Sequence, residues 1–379
     1  MKKNIPYGKQ NIDEEDIESV AEVLRSDFLT QGPKIKEFEE SLCKYTGAKY
    51  CVAVSNGTAA LHLAVASLAI NEGEGITSAI TFVASANCLI YNGLKPVLAD
   101  IDAQTYNIDY KDIVKKITRK TKVIIPVHFA GRPCDMRKIY SLAKKKGIWL
   151  IEDASHAIGS SYSPKDKVGS CKYSHLTVFS FHPVKTITTG EGGAITTNSK
   201  TLYQKLLLLR THGINKNIKN APGPWYYEMQ ELGYNYRLTD MQAALGISQL
   251  KKLNYFTVRR QAIVARYNKA FSENEFIGTP VATNNELICY HLYVVKIDFE
   301  KLGKKRKQVV GELRKKGIYT QVHYIPIFRQ PYYKKHYKTK VLTESDVFYR
   351  RVLSLPLYPS MTDEDVTYVI NQLNEVVSK

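Results

Sequence analysis

A single lysine, Lys185, stands in the stretch FSFHPVKTITTGEGG, between an apolar run and a glycine-rich turn. The preceding residues 176–179 are typical of a buried strand, so the lysine is predicted to lie in the loop where that strand ends. Strand-end loops are where α/β enzymes place their chemistry. Taken alone, the lysine is more simply explained as a structural loop residue, and the rest of the chain must decide between the two interpretations.

A carboxylate, Asp153, follows the short apolar strand predicted at 148–151. A buried strand-end carboxylate needs a cationic or N–H partner, because leaving it unpaired is costly. A metal ion is one candidate, but no second carboxylate or histidine stands nearby at ligand spacing, so no metal site is predicted. A protonated heterocyclic nitrogen is the other candidate, and it fits Lys185 downstream. His156 either donates to an oxygen of such a ring or caps a turn.

A small polar turn, Asn56-Gly57-Thr58, joins the predicted strand 50–54 to an alanine- and leucine-rich helix. This geometry points free backbone N–H groups at an anion. The turn lacks the Gly-Lys-Ser/Thr ending of a nucleotide-triphosphate loop, which disfavours ATP. A simple helix cap explains the turn equally well. Phe82 follows another strand, where its ring would cover a flat cofactor or simply belong to the core.

These groups together match the needs of pyridoxal 5'-phosphate. A lysine amine binds that cofactor covalently and moves protons, and an aspartate keeps its pyridine nitrogen protonated. A nest of N–H and hydroxyl donors holds its phosphate. Each element is a weak signal alone, and the ordered set is a stronger one.

The elements that must position these residues alternate between strand and helix over residues 50–197. Such alternation predicts an α/β fold with a mostly parallel sheet covered on both faces. The composition shifts after residue 252, where a smaller α+β region begins. We therefore predict a large cofactor-binding domain at 1–252, including an N-terminal substrate segment, and a small C-terminal α+β domain at 253–379.

Bulk properties narrow the class of protein. The 379 residues suffice for two domains, and 44% hydrophobic with 24% charged residues is ordinary for a globular protein. No signal peptide or membrane-length apolar run is present, and the six cysteines form no Cys-x-x-Cys pair, so a reduced cytoplasmic protein without membrane contact is predicted.

The net charge of +18 raises the alternative of a nucleic-acid-binding protein. Its basic clusters at 144–146, 301–307 and 334–340 accompany no recognisable nucleic-acid motif, and a solvated face explains them more simply. No nucleic-acid partner is therefore predicted. A positive field would also help to capture an anionic substrate such as a nucleotide sugar.

Several stretches resemble one known family: LTQGP, SNGTAALHLA, ITFVASAN, EDASHAIGS, SFHPVKTITTGEGGAITTN, LRTHGI, GYNYRLTDMQAALGISQL and GIYTQVHYIPI. Over essentially its whole length the chain resembles the sugar aminotransferases of the DegT/DnrJ/EryC1/StrS family. The resemblance implies the aspartate-aminotransferase type of fold (PLP fold type I) and a homodimer with shared active sites.

Within that family, the chain is similar to the transaminases of the pseudaminic-acid pathway. They transfer an amino group from L-glutamate to C4 of a UDP-linked 4-keto-6-deoxy-N-acetyl-hexosamine. Another nucleotide keto-sugar, or a PLP-dependent sugar dehydratase, is the nearest alternative. Some dehydratases of the family carry histidine at the position of Lys185, so the lysine favours amino transfer.

The resemblance also implies roles for individual residues. Lys185 and Asp153 would be catalytic. The implied cofactor-binding residues are Asn56, Gly57, Thr58, Phe82, Asp153, His156, Ser180, Lys185 and, lent by the other subunit, Asn235. The implied substrate-binding residues are Tyr7, Asp27, Phe28, Leu29, Thr30, Asn56, Ser180, Asn235, Arg237, Gln321, His323 and Tyr324.

Overall fold

The strands predicted within residues 50–197 form one seven-stranded sheet. The computed structural model describes residues 3–281 and 287–378. Its strands are β1 (Tyr50–Val54), β2 (Glu74–Ser78), β3 (Lys95–Ala99), β4 (Thr121–Ile125), β5 (Trp149–Asp153), β6 (Ser161–Ser163), β7 (Asp166–Lys167), β8 (Leu176–Ser180), β9 (Gly193–Thr197), β10 (Ile214–Asn215), β11 (Glu228–Met229), β12 (Ile277–Gly278), β13 (Tyr293–Ile297) and β14 (Val352–Leu355).

Helices separate most of these strands. They are α1 (Glu14–Leu24), α2 (Pro33–Thr46), α3 (Gly57–Ala66), α4 (Ala84–Tyr91), α5 (Tyr110–Lys116), α6 (Met136–Lys146), α7 (Lys200–Arg210), α8 (Asp240–Lys251), α9 (Leu253–Phe271), α10 (Phe299–Leu302), α11 (Arg306–Lys315), α12 (Pro331–Tyr337), α13 (Thr343–Arg351) and α14 (Asp363–Val376). In the described part of the chain, no helix is long and apolar enough to cross a membrane.

The large sheet has the strand order β1-β9-β8-β5-β4-β2-β3. The neighbours from β8 through β5, β4 and β2 to β3 are parallel, whereas β9 is antiparallel to both β1 and β8. The predicted α/β fold with a mostly parallel sheet is confirmed. Its central strands are buried along nearly their whole length, as expected when helices cover both faces.

The sheet brings the two predicted catalytic residues to the same edge. Strands β5 and β8 are parallel neighbours, and Asp153 is paired in register with Val178. Asp153 is the last residue of β5, and Lys185 follows the end of β8 by five residues. Because parallel strands end at a common edge, their strand-end residues converge there.

A second sheet, β12-β13-β14, is antiparallel and packs with α9, α11 and α14 around a separate apolar core. Ile5 belongs to this core and forms a bridge with Ile318, so the start of the chain reaches the C-terminal region. The division into domains at residues 1–252 and 253–379 stays a prediction.

Candidate active site

A cavity of about 1140 Å³ opens at the edge where β5 and β8 end. Twelve residues singled out from the sequence line it: Tyr7, Asn56, Gly57, Thr58, Phe82, Asp153, His156, Ser180, Lys185, Gln321, His323 and Tyr324. They come from six separate stretches of the chain. The fold therefore gathers most of the predicted site in one place.

The turn before α3 forms one end of this cavity. Asn56 caps the helix, since its side-chain oxygen accepts a hydrogen bond of 2.8 Å from the Ala59 N–H. A Cβ on Gly57 would lie 2.7 Å from the Cβ of Ser180, so the backbone can approach β8 this closely only at glycine. The helix N-terminus, beside the hydroxyl groups of Thr58 and Ser180, fits a bound phosphate. The cap and the anion site are compatible uses of one turn.

Asp153 is held by two donors on the cavity wall. Ser85 Oγ donates to Asp153 Oδ2 at 2.6 Å, and the Ser155 N–H donates to Oδ1 at 3.1 Å. Thr81 Oγ1 lies 2.7 Å from Ser85 Oγ. Because an ionised carboxylate only accepts, the proton of Ser85 points to Asp153 and that of Thr81 points to Ser85. All three side chains are buried, so this chain of hydroxyl groups fixes the orientation of the carboxylate.

Sequence reasoning missed Ser85 and Thr81. A signal was present, because the two hydroxyl residues are four positions apart where a strand gives way to a helix, and this spacing places them on one face. Their partner Asp153, however, is 68 residues from Ser85. Only the sheet topology shows that they meet.

Glu152, the residue before Asp153, is the centre of a buried hydrogen-bond network. His128 Nδ1 accepts the Cys134 N–H at 3.0 Å, so its proton is on Nε2, which donates to Glu152 at 2.8 Å. Tyr162 also donates to Glu152. Burial would raise the pKa of Glu152, but the hydrogen bond and charge of His128 lead the interactions that lower it overall. The His128 N–H donates to the Asp153 carbonyl at 3.1 Å, which ties this network to the end of β5.

The pKa of Lys185 is lowered, which is the direction that favours a nucleophilic amine. Burial lowers the pKa of Lys185 from 10.5 to about 8, against the opposing attraction of Asp153. A substantial fraction of the amine is therefore uncharged near neutral pH, and only the uncharged amine attacks a carbonyl.

His156 is a neutral donor toward the cavity. Its Nδ1 accepts the Ala130 N–H at 3.3 Å, so the ring proton is on Nε2, 3.1 Å from the Tyr324 hydroxyl. Burial, followed by the charge of Lys185, lowers the pKa of His156 well below its usual value. An Nε2–H at this position suits an acceptor such as a ring oxygen of the cofactor.

The opposite wall comes from the C-terminal part of the chain. His323 Nδ1 lies 2.8 Å from Ser354 Oγ, and burial, followed by the charge of Lys185, lowers the pKa of His323 to about 3. Burial raises the pKa of Tyr324 well above its usual value, so it remains a neutral phenol. Phe82 is 55% exposed, which excludes a simple core role for this ring and leaves its face available to a ligand.

Six predicted residues do not line the cavity of their own chain: Asp27, Phe28, Leu29 and Thr30 in the loop before α2, and Asn235 and Arg237 just before α8. Thr30 forms a bridge with Thr239, and the Asp240 N–H donates to the Leu29 carbonyl at 3.0 Å. The Asp240 carboxylate in turn accepts the N–H groups of Gly32 and Lys34 at the start of α2. The roles of these six residues stay predictions.

Comparisons with known proteins show the family of the chain. The model of the DegT/DnrJ/EryC1/StrS aminotransferase family matches residues 10–374. The UDP-4-amino-4,6-dideoxy-N-acetyl-beta-L-altrosamine transaminase of Campylobacter jejuni is 40% identical over 378 residues, which cover 99% of this chain and 98% of that protein.

Solved structures give the same result. Helicobacter pylori PseC, an aminotransferase involved in the biosynthesis of pseudoaminic acid, has a TM-score of 0.92 at 34% identity, with 99% of each chain covered. The PLP form of the sugar aminotransferase Spr1654 from Streptococcus pneumoniae has a TM-score of 0.89 at 32% identity, covering 99% of this chain and 98% of that one.

The cavity meets each requirement of pyridoxal 5'-phosphate with a residue of the right chemistry. The cavity is lined by an amine at Lys185, a carboxylate at Asp153 that would face the pyridine nitrogen, and the N-terminus of α3 that would hold the phosphate. The chain therefore belongs to the DegT/DnrJ/EryC1/StrS family and is a PLP-dependent sugar aminotransferase.

Proposed function

We propose that the protein transfers the amino group of L-glutamate to C4 of a UDP-linked 4-keto-6-deoxy-N-acetyl-hexosamine, in pseudaminic-acid-type nucleotide-sugar biosynthesis. The observation that carries amino transfer is the convergence of Lys185 and Asp153 in one cavity. The choice of sugar is supported by the 40% identity with the Campylobacter jejuni transaminase across nearly the whole chain.

Each residue has a separate role in the proposed reaction. Bound pyridoxal phosphate supplies an electron sink for the carbon that loses its proton. Asp153 favours the protonated pyridine nitrogen, and the Ser85 hydrogen bond keeps its carboxylate in place. Lys185, with a pKa near 8, takes a proton as general base and returns it as general acid close to physiological pH. His156 Nε2–H would donate to the ring oxygen.

The size of the cavity supports a large substrate. Pockets for small ligands usually measure about 300–1,000 Å³. A cavity of about 1140 Å³ has room for the cofactor together with a sugar. The neutral side chains of Tyr7, His323 and Tyr324 line the wall nearest the C-terminal core, where they suit the hydroxyl and keto oxygens of a sugar.

We propose further that a second copy completes the site in a cytoplasmic homodimer. Asn235, which is exposed, and Arg237, which is half-buried, lie just before α8 and do not line their own cavity, so we expect them to reach that of a partner. Phe28 and Leu29 on this face are 54% and 46% exposed, an apolar surface that a partner would cover.

Product analysis tests the proposal. The purified enzyme is supplied with nitrogen-15 L-glutamate and a panel of UDP-, GDP- and dTDP-linked 4-keto sugars, and products are identified by mass spectrometry. We expect the label at C4 of the UDP-N-acetyl sugar, with one glutamate consumed per amino sugar, and no product from Lys185→Ala. Preferred amination of another sugar would overturn the proposed substrate assignment. A deoxygenated product without label would indicate the dehydratase alternative.

A further inference from the structure

A buried serine that does not line the cavity contacts a histidine that does. Ser354 lies in β14 and is fully buried, whereas His323 lines the cavity from the segment that follows α11. The Oγ atom of Ser354 is 2.8 Å from His323 Nδ1. Ser354 has no part in the chemistry proposed above, so the purpose of this contact is open.

The backbone holds the serine and the histidine segment together. Gln321, two residues before His323, forms an antiparallel bridge with Ser354. Each N–H donates to the carbonyl of the other residue, at 3.1 Å from Gln321 and 2.7 Å from Ser354. Ser354 is also paired in register with Val294 of β13. The contact between Ser354 and His323 is therefore anchored on the C-terminal sheet.

The direction of this hydrogen bond follows from the surroundings of the serine. Among the residues that the structure describes, His323 is the only hydrogen-bond partner of the Ser354 hydroxyl. If His323 donated from Nδ1, the hydroxyl proton of Ser354 would be buried without an acceptor, which is costly. The favoured arrangement has Ser354 donating to Nδ1, so the ring proton of His323 lies on Nε2.

The other nitrogen of His323 is available to a ligand. Its Nε2 atom forms no hydrogen bond with a described residue and is not enclosed by protein, so it reaches the cavity that His323 lines. The neighbouring Tyr324 hydroxyl accepts the His156 Nε2–H, which leaves its own proton free. This wall therefore offers two neutral donors. Neutral donors match the keto, hydroxyl and amide oxygens of a sugar, whereas the carboxylates of glutamate bind most strongly to cations.

We propose that Ser354 is a positioning residue that holds His323 in the tautomer with its proton on Nε2, and that this N–H donates to an uncharged oxygen of the keto-sugar. The inference rests on the function proposed above and extends the substrate site to a residue behind the cavity wall. Ser354 acts only through His323, because its side chain does not line the cavity.

Nitrogen-15 NMR of the histidine-labelled, PLP-loaded enzyme tests the tautomer without any substrate. The signals of His323 are assigned by their loss in His323→Asn. In the wild type, Nδ1 should have the chemical shift of an unprotonated ring nitrogen and Nε2 that of a protonated one. Ser354→Ala should change both signals, because the tautomer is no longer fixed. A proton on Nδ1 in the wild type would overturn the proposal, even if the variant fails to fold.

The two halves of the reaction test the substrate contact. Ser345→Ala is the matched control, because Ser345 is also fully buried and its hydroxyl donates to Asp100 at 2.6 Å without lining the cavity. Cofactor absorbance follows the L-glutamate half and the keto-sugar half in separate single-turnover reactions. In Ser354→Ala we expect the half-saturation concentration of the keto-sugar to rise about fivefold, as for the loss of one neutral hydrogen bond, and that of glutamate to change less than about twofold. Ser345→Ala should change neither.

The remaining outcomes separate this inference from the proposed function. Unchanged His323 signals together with an unchanged keto-sugar half in Ser354→Ala would overturn the inference. An equal loss in the glutamate half would also overturn it, since the contact would not be specific to the sugar. If the wild type aminates no 4-keto sugar but Ser354→Ala still changes the His323 signals, the proposed function fails while the positioning of His323 by Ser354 stands.

Discussion

The reactivity of Lys185 in the cofactor-free protein offers the most direct test of the site. A pKa of about 8 leaves roughly one amine in eleven uncharged at pH 7, against about one in 3,000 for an ordinary lysine at 10.5. Lys185 should therefore react with a neutral acylating reagent roughly 300-fold more readily at pH 7 than its ordinary pKa would allow.

The assay is limited acetylation of apoprotein from about pH 6 to pH 11, read by peptide mass spectrometry. The exposed Lys111 in the same sample serves as the reference for reagent activity. The Lys185 profile should have its midpoint near pH 8. Because the charge of Asp153 raises the pKa of Lys185, Asp153→Asn should move the midpoint down by about one unit. A midpoint near 10.5, or an upward shift in the variant, would refute the reasoning.

The same pKa difference predicts how stability depends on pH. Between about pH 8 and 10.5 the unfolded chain binds the Lys185 proton and the folded chain does not, so the free energy of unfolding rises with pH in this window. Relative to Lys185→Met, the gain should be about 1–3 kcal/mol, reduced from the full linkage value because the side chain is partly exposed. If wild-type apoprotein and Lys185→Met apoprotein differ in free energy of unfolding by the same amount at pH 7 and pH 10.5, this predicted pH dependence is wrong.

Three substitutions test other parts of the site. Ser85→Ala should leave the fold intact but cut kcat about tenfold and weaken cofactor retention, because the strand-end carboxylate loses its 2.6 Å donor; unchanged cofactor spectra and kcat would exclude this role. Gly57→Ala should weaken PLP binding at least tenfold through its 2.7 Å clash, measured by dialysis and absorbance, whereas Gly311→Ala, with open space around it, should not. Mixing inactive Asn235→Ala and Lys185→Ala subunits should restore about a quarter of the activity if each site is shared, and no recovery after proven subunit exchange would count against a shared site.

The sequence could predict the parts of the site whose partners are defined by chemistry. Asp153 could be identified because a buried strand-end carboxylate costs free energy unless a cation or a hydrogen-bond donor pairs with it. Lys185 could be identified as a candidate partner because it lies in the loop after a neighbouring parallel strand. The hydrogen bond from Ser85 and the network of His128 and Glu152 could not be predicted, since serine and histidine are common and their partners lie 68 and 24 residues away.

Other features depend on shape alone. The 55% exposure of Phe82 decides between a core ring and a ligand-facing ring, and no local pattern encodes that difference. The placement of residues 27–30 beside α8 likewise follows from a contact made across more than 200 residues. The role of these residues depends on a second chain or a substrate, and the periodicity of one sequence predicts contacts with neither.

The Asp240 carboxylate has a consequence for how this face meets another molecule. Helix α2 begins at a glycine N-cap without a side-chain cap of its own, and Asp240 at the start of α8 accepts its N–H groups at 2.8 and 2.9 Å. The loop before α2 and the start of α8 are thereby joined into one ordered surface within a single chain. A molecule that binds this surface has little loop to immobilise, so less of its contact energy is offset by lost conformational entropy.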